Sequence, residues 1–96
     1  MADIDRVYRQ IAQIAEREGA QRVILFGSRA RGTNLPKSDI DVAVEGCPHP
    51  EAFEDAVQND LWSLLMVDVV NLDETVSPAL RAEIERDGRV LYEKAR

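Results

Sequence analysis

The chain has 96 residues, 45% of them apolar and 31% charged, and a formal net charge of −6. That length holds one hydrophobic core, so residues 1–96 are expected to form a single domain, and the acidic total repels phosphate backbones and argues against direct nucleic-acid binding. One cysteine and one histidine exclude a disulfide framework and a Cys- or His-rich metal centre, while short apolar runs and the acidic start MADIDRVYRQ exclude a membrane span and a secretory leader and make the cytoplasm the expected compartment.

Ile4, Val7, Tyr8, Ile11, Ile14 and Ala15 recur at helical spacing, with Asp3 or Asp5 to cap the start and Gly19 to stop it, so 3–18 is read as an amphipathic helix. RVILF at 22–26 is a buried strand that ends on Gly27-Ser28. RARGTNLPKS reads as a loop opening with one helical turn. DIDVAV at 39–44 alternates, with Asp39 and Asp41 on one face and Ile40, Val42 and Val44 on the other. After a turn at 46–50, Phe53, Val57, Leu61 and Leu64 mark a second helix. MVDVVNL at 66–72 is a third strand, apolar enough to be central in the sheet. Ser77-Pro78 is an N-cap with proline at the first helical position, leading a helix that closes at Asp87-Gly88 before a fourth strand, RVLYE, at 89–93. The string implies an α/β or α+β fold with a small mixed sheet of about four strands packed by helices.

Three acids fall in strands, where aspartate is depleted. Asp39 and Asp41 lie two apart on one face, with Cα atoms roughly 6.5–7 Å apart. Asp68 stands between two valines. An acid in an edge strand, or one paired with arginine, accounts for each of these residues taken singly. Taken together, three neighbouring carboxylates repel one another, and a hard divalent cation relieves the repulsion. Gly27-Ser28 directly after a buried strand is either a plain strand-ending turn or an anion-binding bend, since glycine lets backbone N–H groups approach and serine adds a hydroxyl. The charge pattern favours the second reading. From Arg22 to Lys37 the chain carries Arg22, Arg29, Arg31 and Lys37 and no acid, a local +4 that leaves −10 for the remainder. Positive charge beside the bend and acids just downstream are what a Mg²⁺-nucleoside triphosphate requires.

GSRARGTNLPKSDIDVAV, with the later strand acid Asp68, resembles the minimal nucleotidyltransferase (MNT) domains of the DNA polymerase β-type nucleotidyltransferase superfamily. The likeness runs from Gly27 through the V-D-V-V strand to the closing S-P-x-L…G-x-V-L-Y segment. It implies the nucleotidyltransferase fold. It also implies that Gly27 and Ser28, with Arg29 and Lys37, contact the nucleotide, and that Asp39, Asp41 and Asp68 are catalytic and hold Mg²⁺, two ions in all. Asp68 is the third ligand or the base near the acceptor. Arg31 touches phosphate or braces the loop. Larger relatives carry a helical acceptor-binding domain that a chain of this size is expected to lack. Family members of this size look like antitoxins of HEPN/MNT toxin–antitoxin pairs. That implies transfer of AMP from ATP to a tyrosine of a HEPN ribonuclease partner within a hetero-oligomer. The alternative is a non-catalytic nucleotide-binding antitoxin that silences the HEPN protein by occlusion. A domain acting on RNA or a small molecule is a third reading, which the acidic surface disfavours.

Cys47 and His49, in a proline-flanked turn, are expected to be incidental loop and surface residues. Tyr8 and Tyr92 are expected to pack, and the acids of 51–60 to form a solvated helix face. Trp62 is either part of the core or an anchor for a partner.

Overall fold

The computed structural model describes residues 3–61 and 63–95. Among these the chain runs α1 (Ile4–Arg17), β1 (Arg22–Phe26), α2 (Ser28–Arg31), β2 (Ile40–Glu45), α3 (Pro50–Asn59), β3 (Val67–Asn71), α4 (Pro78–Asp87) and β4 (Arg89–Glu93). The strands form one mixed sheet in the order β3-β2-β1-β4. β1 is antiparallel to β2 and β4, and β2 is parallel to β3. The mixed α/β class expected from the sequence is the class observed.

Local chemistry sets most boundaries. The Asp3 carboxylate accepts the Asp5 N–H at 3.0 Å and caps α1, which buries Val7, Ile11, Ile14 and Ala15 along one stripe. Ser77 Oγ accepts the Leu80 N–H at 3.2 Å, and Pro78 opens α4 in the position where its missing N–H costs nothing. α3 ends earlier than the spacing of Phe53, Val57, Leu61 and Leu64 predicts. The Asn59 side chain turns back onto the Asp55 carbonyl at 2.9 Å, and the chain leaves the helix at Asp60. Leu61 still packs on the core, but Leu64 is fully exposed. The expectation for Trp62 lies outside the described residues.

Alternation splits the apolar residues into two cores. Val23 and Leu25 of β1, with Ile40, Val42 and Val44 of β2, pack with α1 and the buried face of α3, including Phe53 and Val57. Ile24, Phe26 and Ala43 point the other way, onto Leu72 and Ile84 with Leu80 at the margin. β3 is an edge strand, contrary to the central place its composition predicts. The reason is coverage. Val67 and Val69 join the first core and Val70 the second, so an edge strand clad on both faces reads like a central one. Among the described residues no helix is long and apolar enough to cross a membrane.

Candidate active site

The pairing register brings three strand termini to one end of the sheet. Phe26, the last residue of β1, stands opposite Asp41, and Asp41 stands opposite Asp68 at the start of β3. Neighbouring strands lie about 4.8 Å apart, so two carboxylates sit side by side on the sheet face that α4 covers further along. Asp41 is half-buried, whereas Asp68 and Asp39, the residue immediately before β2, are exposed. The Asp41 carboxyl is pushed up from 3.8 to about 6. Burial is the largest cause. The negative charge of Asp68 comes next, followed by a hydrogen bond with it, and then the charges of Asp39 and Glu83. Two of the acids singled out from sequence, Asp68 and Asp39, therefore act on the third, Asp41.

Gly27 joins this group from the end of β1. Its φ of +74° and ψ of −158° lie where side chains are strained, and a Cβ built there would sit 2.3 Å from Asp41 Oδ2. Glycine is needed twice over: for the turn and for close approach of backbone to carboxylate. The Gly27 carbonyl accepts the N–H groups of Ala30 and Arg31, each at 3.1 Å, and so starts the single turn α2. Ser28, its first residue, is half-buried next to the acids' end of the sheet.

The basic residues divide into distinct tasks. Arg29 is buried, donating Nε to the Ser38 carbonyl at 3.0 Å and Nη2 to the Pro36 carbonyl at 3.2 Å. Arg29, which the family resemblance groups with the nucleotide contacts, turns its guanidinium to the backbone of loop 32–39, which delivers Asp39. Ser38 Oγ tightens the same loop by accepting the Leu35 N–H at 2.8 Å. Lys37 is exposed on this loop. Arg31 leaves the other side of α2 and meets Glu83 at 3.0 Å and Asp87 at 3.7 Å, both on α4. These ion pairs tie α2 to α4. Glu83 was not singled out from sequence. Its only signal is its place beside Ile84 on α4, and that needs the topology before it means anything.

The remaining expectations concern packing. Cys47 is buried against the first core, its thiol 3.9 Å from the Glu18 carbonyl, so it is more than an incidental loop residue. His49 is exposed at the N-terminus of α3, and Tyr8 and Tyr92 pack at the margin of the first core. Glu51, Glu54, Asp55 and Asp60 are solvated.

Among the described residues no three His, Cys, Asp or Glu side chains are already drawn into a cation cage. The Asp41–Asp68 pair still suits one kind of ion. Mg²⁺ needs one or two carboxylates and completes its shell with water and substrate phosphates, so a fully protein-built cage is not required. The donor set is all oxygen, and a cation would offset both leading causes of the raised Asp41 pKa, burial first and then the charge of Asp68.

The family model described as "Polymerase beta, Nucleotidyltransferase" matches residues 9–96. No curated protein matches the chain. Among solved structures, the chain is similar to one described as a toxin-antitoxin with AMP-PNP. Identity is 26% and the TM-score 0.71, with 91% of this chain and 73% of that chain covered. A mutant of the toxin-antitoxin MntA-HpeT aligns at 25% identity and TM-score 0.70, covering 90% of this chain and 72% of the other. The toxin-antitoxin MntA-HepT aligns at 21% and 0.66, covering 91% and 70%, a likeness of fold.

Proposed function

Because the chain belongs to the polymerase β-type nucleotidyltransferase family, we propose that it transfers AMP from ATP to a hydroxyl, the tyrosine of a HEPN-type ribonuclease toxin, and thereby acts as that toxin's antitoxin in the cytoplasm. The observation that carries this reading is the contact of Gly27 with Asp41, beside Asp68. It joins the Gly27–Ser28 bend to paired carboxylates at one sheet end. The likeness to solved toxin–antitoxin structures, one of them with AMP-PNP, supports both partner and nucleotide.

In this reading Gly27 and Ser28 hold the triphosphate through backbone N–H and hydroxyl donors, and exposed Lys37 adds charge at the rim. Arg29 acts one step removed, by fixing the loop that presents Asp39. Asp39, Asp41 and Asp68 would hold two Mg²⁺ ions, which when bound supply charge for the developing transition state and the leaving pyrophosphate. The acceptor hydroxyl attacks the α-phosphorus in line. Its oxygen–phosphorus bond forms as the bond to the β-phosphate bridging oxygen breaks. The hydroxyl proton passes to a carboxylate of the Asp41–Asp68 pair, and pyrophosphate leaves on the Ser28 side.

The test is label transfer from α-labelled ATP to a co-expressed HEPN-type toxin, with native chain and with Asp39→Asn plus Asp41→Asn. Native chain is expected to add one or more AMP units by mass, and the double variant none. Equal labelling by both refutes the assigned roles. A stable complex with an unmodified partner establishes occlusion instead.

A further inference from the structure

We propose that Glu83 on α4 is a positioning residue for the nucleotide: by holding Arg31 it fixes the turn that carries Ser28. This rests on the proposed nucleotide reading. α2 has only four residues, too few to hold its own geometry. Two arginines tether it from opposite sides. Arg29 reaches the carbonyls of Pro36 and Ser38 in its own loop. Arg31 crosses 52 positions of sequence to Glu83. The α4 end of that second tether is firmly seated. Ile84, next to Glu83, is buried against the sheet in the core that holds Ile24 and Phe26. At Gly88 the backbone passes so close that an added Cβ would lie 2.6 Å from Ile24 Cγ2. Asp87 is the weaker partner, at 3.7 Å from Arg31 and already engaged by Arg86 at 2.9 Å. Glu83 is thus the fixed acid through which the packing of α4 reaches the phosphate bend.

Positioning and plain electrostatics predict opposite signs for Glu83→Gln. Removing a negative charge near a bound triphosphate strengthens binding by relieving Coulomb repulsion. Releasing the tether weakens it, by about two- to five-fold, the range one partly exposed ion pair can supply. The experiment titrates Mg-ATP into the isolated native chain, Glu83→Gln and Asp87→Asn. Melting temperatures and backbone amide exchange without nucleotide are measured alongside. The expected result for Glu83→Gln is a Kd for Mg-ATP raised about two- to five-fold, with the chain still folding cooperatively and its melting temperature lowered by no more than about 4–8 °C. Exchange should quicken at Ala30 and Arg31, whose N–H groups bond the Gly27 carbonyl, and stay as before in β1. Asp87→Asn should change Kd less than about two-fold. An unchanged or tighter Kd in Glu83→Gln, or unchanged exchange at Ala30 and Arg31, overturns the proposal. If the native chain binds no Mg-ATP, the nucleotide reading fails, and the exchange rates still decide whether the tether exists.

Discussion

Asp41→Asn is expected to make the protein more stable while removing its chemistry. The rise of the Asp41 pKa from 3.8 to about 6 corresponds to roughly 3 kcal/mol of unfavourable ionisation in the folded state. The side chain is only half-buried, so solvent screening reduces this to about 1 kcal/mol. The sign follows from linkage. Between about pH 4 and 6 the folded state binds the Asp41 proton more tightly than the unfolded state, so this stabilisation is complete below the unfolded value and is lost as pH rises through about 6. Asn keeps the shape, removes the charge and offers Asp68 an N–H donor. Urea denaturation at pH 7.5 should show a gain of about 1 kcal/mol, equivalent to about 4–8 °C in Tm for a chain of this size. At pH 4.0 the gain should shrink to less than about half. A variant less stable than native at pH 7.5, or a gain equal at both pH values, would refute the reasoning, because either result means that Asp39, Asp68 and burial do not strain the Asp41 carboxylate.

Two further substitutions probe the parts that frame the acids. Gly27→Ala should cost about 1–3 kcal/mol from its positive-φ extended backbone alone, with more from the Cβ 2.3 Å from Asp41 Oδ2, and should abolish nucleotide binding. Thermal melts and a Mg-ATP titration check it, and a native-like melt would contradict the contact. Arg29→Ala removes two charge-assisted bonds to loop carbonyls and should cost about 2 kcal/mol. Limited proteolysis should then cut within 32–38, a site that stays resistant in the native chain.

Much of the candidate site is legible in the sequence. Asp39 and Asp41 declared themselves by alternation, and Gly27-Ser28 by following a buried apolar run. The α-β-(α)-β-α-β-α-β order is the order observed, because capping residues such as Asp3 and Ser77 are local signals that tertiary context did not override. What failed needed knowledge of neighbours. The position of β3 depended on helices covering both of its faces, which composition cannot distinguish from burial between two strands. The end of α3 depended on Asn59 folding back onto Asp55. The division of labour between Arg29 and Arg31 was unreadable because both lie in one short stretch, and their partners, the Pro36–Ser38 backbone and Glu83, are set by the turn of α2 and the seating of α4.

Mn²⁺, a paramagnetic substitute for Mg²⁺, tests the central claim most directly when added with ATP to isotope-labelled native chain. Amide signals of Gly27, Ser28, Asp41 and Asp68 should broaden first and together, and ATP should sharpen the selectivity of that broadening. Preferential broadening around the solvated acids of α3, with these four signals unaffected, would contradict the claim that this end of the sheet is where metal and nucleotide meet.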